Sequence, residues 1–551
     1  MPISDQIAVT ECFTTYMNKK PLLIYSLFRM LLAIVTVSFL IAGCKKDAVK
    51  AASKSVTDSA KTITDANPPL ANMFGVNTYP WDFLQNPSNP SAVGAIYQPK
   101  MNFIESFSQV RHYLDWNLLE DAEGSYTYNP CNSGSWNLDA IYTACQADKI
   151  TSLVDIKSCP TWFLNAYYPS AQQNAEDVPA PYGANLIEPA SYIDQAKVAF
   201  QFAARYGSNT KVDINLLSVN STPRWTDDPI NVIKVGLGTV KYVECDNERD
   251  MWWGGPATVQ TAAEYAANMS AFYDGDQGRL GKNVGVKTAD PNMVVVMGGL
   301  AKGDTQWVND MITWCKEHRG YKADGSVNLC FDVINYHYYN SNIAGTAGAA
   351  PELCGADTTA DAMVSVAKSI KDNPEVWTTE SGYDINPGSS QHAPAIGKKS
   401  ALLVQGDWIL RTSFMYIKHG IKRLFFYQLF DDTPGSSATF ATSGLCDTTT
   451  RRPAANYILQ TRTLMGNYTY EKTISSRPMV DVYIDGPKTM YVLFMPTASG
   501  ATATYTLKLG TASATIYTLN PDSYKISTAK TATVNGSLKV AVSETPIFVS
   551  N

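Results

Sequence analysis

The sequence predicts an α/β fold, a (β/α)8 TIM barrel followed by a small C-terminal antiparallel β-sandwich. The chain of 551 residues is longer than a barrel alone, which commonly takes about 250 residues. Its first part alternates short apolar runs with longer helical patterns, and its last part alternates polar and apolar residues over short stretches. Hydrophobic residues make up 45% of the chain, which is enough for a large core and excludes general disorder.

Eight short apolar runs are the predicted barrel strands. They are Phe74–Asn77, Gln109–Tyr113, Thr151–Ile156, Lys241–Cys245, Met293–Gly298, Asp332–His337, Glu375–Thr379 and Arg423–Tyr427. Helical patterns lie between several of them, at Ser191–Tyr206, Val259–Tyr273, Gln306–Glu317, Asp361–Lys371 and Gly406–Lys418. Eight strands alternating with helices favour a closed barrel over an open doubly wound sheet, and no glycine-rich phosphate loop follows the first strand.

Composition divides the chain into four regions. We expect a lipoprotein signal region at residues 1–44, a flexible tether at 45–70, the catalytic barrel at 71–465 and a β-sandwich accessory domain at 466–551. The tether is rich in Ala, Ser, Thr, Lys and Asp, which do not build a core. We expect the sandwich to pack against the barrel, with a carbohydrate-binding module as the alternative.

The N-terminus has the pattern of an export signal. Lys19 and Lys20 precede an apolar run from Met30 to Ala42, which is too short for a membrane span of about 20 residues. The run ends in Leu40–Cys44, which resembles the lipobox of bacterial lipoproteins. The resemblance implies an exported protein anchored to a bacterial membrane through lipid on Cys44, on the periplasmic face or the cell surface. A plain signal peptide or anchor with an incidental cysteine is the alternative.

Charge and motifs limit the partners. The net charge of −6 argues against a nucleic-acid binder, which would carry a basic patch. No metal-ligand set or cofactor motif is present, so we expect no cofactor and no metal, and we expect a monomer. Aromatic residues make up 11% of the chain, which suits sugar recognition, although most individual aromatics belong to cores.

Eight cysteines follow the predicted export signal. An oxidising compartment permits disulfides among them. Eight cysteines allow 105 pairings, and the sequence does not choose between them. Cys315 with Cys330 and Cys131 with Cys145 are the plausible local bridges.

Two acidic residues follow predicted strands four and seven, namely Glu248 and Glu380. These strand ends face the mouth of a barrel from opposite sides of the ring. Glycoside cleavage needs such a pair, a carboxylic acid to protonate the leaving oxygen and a carboxylate to attack the anomeric carbon. The Asn247 amide can bond a sugar hydroxyl beside that bond, and Arg111 on strand two can hold Glu380 ionised.

These motifs resemble a known group of enzymes. The run from Glu244 to Glu248 resembles the Glu-x-x-Asn-Glu signature of the retaining glycoside hydrolases of clan A. The run Trp377–Gly382 resembles that clan's nucleophile strand, and the resemblance extends over about residues 72–464. It implies Glu248 as acid/base, Glu380 as nucleophile, and retention of configuration.

Further candidate substrate-binding residues follow from the resemblance. Asp332–Tyr339 looks like the clan's sixth strand, which implies a subsite role for His337 and a hydrogen bond from Tyr339 to the nucleophile. Independently of the resemblance, Trp252 and Trp253 just after Glu248 are candidate sugar platforms, with core packing as the alternative. Strand eight lacks the tryptophan that commonly floors the clan's site, and either Tyr427 or Gln428 can replace it.

The sequence also departs from the clan. Asp246 stands where relatives often place Trp, and Arg249 where they often place Pro. Asp246 is either an inward substrate contact or a partner for Arg249. We expect a retaining glycoside hydrolase that cleaves β-linked polysaccharide or oligosaccharide by double displacement. The alternative is a non-catalytic glycan-binding surface lipoprotein on a TIM-barrel scaffold.

Overall fold

The computed structural model describes residues 67–251 and 253–551. The predicted signal region, most of the predicted tether, the anchor residue Cys44 and the candidate platform Trp252 therefore lie outside the described residues. Among the residues that are described, no helix has the length and apolar character that a membrane span requires.

Eight parallel strands close into a barrel in chain order. They are β1 Gly75–Thr78, β2 Gln109–Asp115, β3 Thr151–Lys157, β4 Tyr242–Cys245, β5 Val294–Met297, β6 Val333–His337, β7 Glu375–Glu380 and β8 Arg423–Phe426. Each predicted strand is confirmed. The α-helices are Pro80–Leu84, Gln98–Ile104, Trp116–Leu119, Leu138–Ala147, Thr161–Tyr167, Ile193–Tyr206, Ala262–Asp274, Val286–Ala289, Thr305–His318, Ala356–Lys368, Ala401–Lys418 and Pro453–Met465.

The barrel interior changes from apolar to polar along the strands. Strand residues are buried on both faces because helices cover the sheet. Six buried residues form an apolar cluster separate from the main core, namely Leu153, Tyr242, Val296, Val333, Trp377 and Phe425. Two residues further along their strands, at the same inward parity, come Asp155, Glu244, Asn335 and Thr379. The polar layer therefore lies directly above the apolar layer, toward the C-terminal ends of the strands.

The C-terminal part is antiparallel and has two sheets. Its strands are β9 Thr469–Ser476, β10 Met479–Asp485, β11 Lys488–Phe494, β12 Ala503–Lys508, β13 Ser513–Thr518, β14 Ser527–Ala532, β15 Ser537–Val542 and β16 Ile547–Ser550. Six of them form a sheet in the order β14-β13-β16-β11-β10-β9, while β12 pairs with β15. Apolar residues of both sheets, including Leu493, Leu507 and Val540, share one buried cluster. This confirms the predicted small antiparallel domain.

The larger sheet packs against the barrel through the helix Ala401–Lys418. The Phe414 ring lies 5.9 Å from Tyr483, 6.2 Å from Phe494 and 6.3 Å from Phe548, measured between ring centroids. Arg411 adds a 3.0 Å bond to the carbonyl of Thr497. This domain therefore packs against the barrel as expected, and the carbohydrate-binding alternative stays a prediction.

The described cysteines are free thiols. Cys315 and Cys330 lie side by side, with 3.5 Å between their sulfur atoms. Cys131 and Cys145 are both buried in the main core. Neither predicted bridge is formed in the structure.

Candidate active site

Glu380 ends β7 and is held by three donors. Arg111 Nη1 donates to its Oε1 at 2.8 Å, and the Tyr113 hydroxyl donates to the same oxygen. The Tyr339 hydroxyl donates to Oε2 at 2.7 Å. Only 7% of the Glu380 side chain is exposed. The carboxylate is therefore fixed at both oxygens while one edge still reaches the cavity.

These contacts keep Glu380 ionised. Burial alone would raise the pKa of Glu380, but the charges of His337 and Arg111 and the two tyrosine bonds lower this pKa below its ordinary value. Burial raises the pKa of Tyr113 and of Tyr339, so both phenols stay protonated and donate. An ionised, immobilised carboxylate is suited to act as a nucleophile.

Arg111 connects Glu380 to the polar layer of the barrel. It is fully buried, and its donors reach acceptors on or after four other strands. These acceptors are Asn77, Asp155, Glu244, Asn247 and Glu380, at 2.8–3.1 Å. The predicted bond from Arg111 to Glu380 is present. Glu244, inside the barrel, accepts two hydrogen bonds from the same guanidinium, one at each carboxylate oxygen.

Glu248 lies in the turn after β4 and has fewer partners. His337 Nδ1 lies 2.8 Å from its Oε1, and the Trp253 indole N–H donates to its Oε2. Trp253 is 66% exposed, so one side of Glu248 faces the open mouth.

His337 sits between the two carboxylates. It is fully buried, and its Nδ1 is 3.6 Å from Glu380 Oε2 while its Nε2 is 3.0 Å from Thr379 Oγ1. Burial lowers the pKa of His337, but Glu380 and Glu248 more than offset this and raise the pKa above its ordinary value. Only glycine fits at position 299, since a Cβ there would lie 2.0 Å from His337 Nε2.

The separation of the carboxylates decides what they can do together. One oxygen of Glu248 and one of Glu380 lie within 4.8 Å of each other. Retaining glycosidases hold their carboxyl groups about 5–5.5 Å apart, and inverting enzymes about 6.5–9.5 Å apart to admit a water. The spacing matches direct attack by one carboxylate.

Glu248, His337 and Glu380 are also close enough to share a metal ion. However, the Arg111 guanidinium and two phenols already donate to Glu380. A fixed positive charge on that carboxylate opposes a second cation. The donor set therefore fits a nucleophile better than a metal ligand.

A cavity of about 660 Å³ opens above the pair. Its aromatic lining consists of Tyr79, Tyr113, Trp253, Tyr338, Tyr339, Tyr427 and Phe440. Asn247 also lines it, and its Oδ1 accepts from Arg111 at 2.9 Å, which turns the Nδ2 amine toward the cavity. Aromatic faces with a few fixed polar groups are typical of a small-ligand site.

One wall of this cavity is built by two crosslinked loops. Phe440 has a φ of 71° and packs its ring 4.5 Å from that of Tyr339. The buried Asp384 carboxylate accepts from the backbone N–H groups of Phe440 at 2.8 Å and Thr442 at 3.0 Å. The loop after β7 thus fixes the conformation of the loop after β8.

Asp246 pairs with Arg249 and does not reach the cavity. Asp246 is fully buried, with Oδ2 2.5 Å from Arg249 Nη2. Of the two alternatives for Asp246, the structure has the ion pair.

The predicted site residues fall into three groups. Glu248, Glu380, Asn247, Tyr339 and Tyr427 line the cavity. Arg111 and His337 are fully buried beneath the two carboxylates, where Arg111 bonds Glu380 and His337 bonds Glu248. Gln428 is 2% exposed and is not part of the lining, so of these two candidates Tyr427, directly after β8, is the one that reaches the cavity.

Some lining residues were not predicted. Tyr113 shares inward parity with Arg111 on β2, and that parity could have identified it. Tyr79 follows β1 and bonds the Tyr427 hydroxyl at 3.1 Å. Lys157 and Glu176 form a 3.0 Å ion pair at the edge of the cavity. Glu176 lies in the long segment after β3, where the sequence has no periodic pattern.

Comparison with known proteins shows the fold. No protein-family profile matches the chain, and no curated protein matches its sequence. A family 39 glycoside hydrolase from the gut symbiont Bacteroides cellulosilyticus has 16% identity and a TM-score of 0.57, over 89% of this chain and 82% of that one. The catalytic domain of a family 30 xylanase C from Talaromyces cellulolyticus has 10% identity and a TM-score of 0.50, over 88% of this chain and 98% of that one. This chain has the fold of those glycoside hydrolases.

Proposed function

We propose that the protein is a retaining glycoside hydrolase similar to those of clan A. The main support for the proposal is the carboxylate pair Glu248 and Glu380, which have one oxygen each within 4.8 Å of the other in the same cavity. The two carboxylates have different surroundings, which supports different roles for them. The neighbours of Glu380 keep it ionised, whereas Glu248 faces the open mouth of the cavity. The fold is that of the family 39 and family 30 enzymes.

In the first step Glu380 attacks the anomeric carbon. Its Oε2 is the freer oxygen because it accepts from Tyr339, whereas Oε1 accepts from both Arg111 and Tyr113. Glu248 donates its proton to the leaving glycosidic oxygen as the bond to carbon breaks. The products are a glycosyl ester on Glu380 and a departing sugar alcohol.

In the second step Glu248 works as a base. It takes a proton from water, and the resulting oxygen nucleophile displaces Glu380 from the anomeric carbon. His337 Nδ1, 2.8 Å from Glu248, is placed to donate a hydrogen bond to the Glu248 carboxylate in this step.

The aromatic lining supports a carbohydrate substrate, and we extend the proposal to β-linked polysaccharide or oligosaccharide. The Nδ2 amine of Asn247 is placed to bond the hydroxyl beside the anomeric carbon. We also propose that the protein acts as an exported monomer anchored by lipid on Cys44. The lipobox-like run Leu40–Cys44 supports that part, and a Cys44→Ser variant recovered from the soluble rather than the membrane fraction tests it.

Trapping the intermediate tests the mechanism. A 2-fluoro glycoside with a good leaving group slows both steps, and the second more than the first, so the glycosyl ester accumulates. We expect peptide mass mapping to find the adduct on Glu380, with a Glu380→Gln variant as the unlabelled control. Label on another residue contradicts the assignment. Glycan binding without label or turnover favours the non-catalytic binding protein.

A further inference from the structure

The turn that carries Glu248 has an unusual backbone. Asp246 has a φ of 68° and Glu248 a φ of 49°, both in the left-handed region. Residues with a side chain rarely adopt this region and stay in it only where their surroundings impose it. Some contact must therefore hold this turn in shape.

Asp246 supplies the first part of that contact. Its Oδ1 accepts the backbone N–H of Asn247 at 2.9 Å, and its Oδ2 lies 2.5 Å from Arg249 Nη2. The Asp246 backbone N–H donates to the carbonyl of Ile156 on β3 at 3.1 Å. The aspartate thus binds the residue before Glu248 and the residue after it.

Arg249 supplies the second part. Its Nη1 donates to the carbonyls of Glu176 at 2.6 Å and Thr258 at 3.2 Å, and its Nη2 to that of Asp177 at 3.2 Å. Glu176 and Thr258 line the cavity. The segment between Arg249 and Thr258 contains Trp253, whose indole N–H donates to Glu248. The buried Arg249 guanidinium therefore connects the turn of Glu248 to two loops, one containing Glu176 and Asp177 and the other containing Trp253 and Thr258.

We propose that the Asp246–Arg249 pair is a positioning element, which holds Glu248 and the loop of Trp253 in the arrangement needed for proton donation to the leaving group. This inference rests on the proposed function. The two residues occupy the positions at which the sequence departs from the clan A pattern, so this support is a property of this chain. Asp246 is not part of the cavity lining, whereas Arg249 is, but the hydrogen bonds of the Arg249 guanidinium go to Asp246 and to loop carbonyls and not to either carboxylate of the site.

The rigid fork of arginine explains why lysine cannot replace it. Arg249 serves a carboxylate and three carbonyls in different directions, while a lysine offers one nitrogen at one point. An Arg249→Lys variant keeps the buried charge paired with Asp246 but releases the two loops. An Asp246→Asn/Arg249→Gln double variant removes both charges, which avoids leaving one charge buried without a partner.

The test is leaving-group dependence. The 2,4-dinitrophenyl and phenyl β-glycosides of xylose, glucose, galactose and mannose are first screened with the wild type. We would then measure kcat/KM for both aryl glycosides of a sugar that the wild type hydrolyses. For both, kcat/KM reports the first step, and only the phenyl leaving group needs the proton from Glu248. We expect both variants to lower the phenyl-to-dinitrophenyl ratio at least tenfold, with the larger loss on the phenyl substrate.

Arg279→Lys is the matched control. Arg279 also pairs with an aspartate three residues earlier, at 2.7 Å, and that Asp276 also has a positive φ, of 55°. Neither residue lines the cavity. We expect this variant to leave the ratio unchanged.

Two results overturn the proposal. An unchanged ratio, whether both substrates lose equally or neither loses, means that the pair does not position Glu248 for proton donation. Loss of the wild-type circular dichroism in both variants means that the pair serves the fold alone. If the wild type forms a normal 2-fluoro adduct on Glu380, these results overturn this inference only. An absent adduct overturns the proposed function as well.

Discussion

The two carboxylates of the site differ in how firmly the protein holds them. Glu380 accepts from a guanidinium and two phenols, of which Arg111 and Tyr113 are buried and Tyr339 is half-buried. Glu248 contacts one buried imidazole and accepts from the indole of an exposed tryptophan, and it lies in a turn with a left-handed backbone.

This difference is consistent with the roles proposed for the two residues. A nucleophile keeps one charge state until it forms a bond, so fixed donors around it cost nothing later in the cycle. An acid/base residue gains and loses a proton in each turnover, so a dense set of donors would hold it in one state. The protein accordingly surrounds Glu380 and supports Glu248 mainly through its backbone.

The largest expected effect is at Glu380. The Glu380→Gln variant should lose on the order of 10⁴-fold or more in kcat, because no other group can form the covalent intermediate. Steady-state assays on an aryl glycoside measure this. Glu375→Gln, at the exposed start of the same strand, is the control. A residual rate within tenfold of wild type would remove Glu380 from the mechanism.

A smaller and substrate-dependent effect is expected at Glu248. The Glu248→Ala variant should lose about 10²–10⁴-fold in kcat/KM on a phenyl glycoside, which is the usual contribution of a general acid. A 2,4-dinitrophenyl glycoside should lose far less, because its leaving group departs without a proton. Azide, as a small nucleophile that needs no base, should restore the second step. Equal loss on both substrates would contradict the acid role.

Removing one donor to Glu380 should have an intermediate effect. Hydrogen bonds to charged groups are worth about 1.5–3 kcal/mol, so Tyr339→Phe should lower kcat/KM about 10–100-fold. The Tyr339 bond lowers the pKa of Glu380. Without it that pKa rises, and the acid limb of the pH profile moves to higher pH. Tyr168→Phe is the control, since its hydroxyl bonds the carbonyl of Val178 and the residue is not part of the cavity lining. An unmoved acid limb would exclude the proposed bond.

The smallest effect is expected at Trp253. Trp253→Phe keeps an aromatic face but removes the indole bond to Glu248. A neutral, exposed donor is worth about 0.5–1.5 kcal/mol, so kcat/KM should fall only about two- to tenfold, with the thermal midpoint unchanged. Trp225→Phe, at another exposed tryptophan, is the control. A loss as large as that of Tyr339→Phe would mean that the two carboxylates are supported equally.

The sequence was most informative about the barrel strands. Parallel strands buried on both faces have continuous apolar runs, and these end where the polar layer starts. Helix starts were less predictable. The helix Ala401–Lys418 begins five residues before the predicted Gly406, after the cap at Ser400, whose side chain accepts from Leu403. Its first turn is apolar throughout and lacks the spacing of a helical face.

Site residues could be predicted from the sequence only where they lie on strands or directly after them. Glu248, Glu380 and Arg111 are fixed relative to strands, and parity determines which way such side chains face. Phe440 and Glu176 lie on loops, where no periodicity constrains direction. Phe440 reaches the cavity because Asp384 holds its backbone, and that contact joins residues 56 apart in the chain.

The five acceptors of Arg111 also bear on how the chain folds. They lie 34, 44, 133, 136 and 269 residues away along the sequence. An arginine cannot lose its charge in a protein interior, so a barrel that has closed around only some of these partners buries a cation without its full set of acceptors. Such partly closed forms are penalised. The same residue that ionises Glu380 thus disfavours incomplete barrels, and assembly of the site and closure of the ring become one cooperative event.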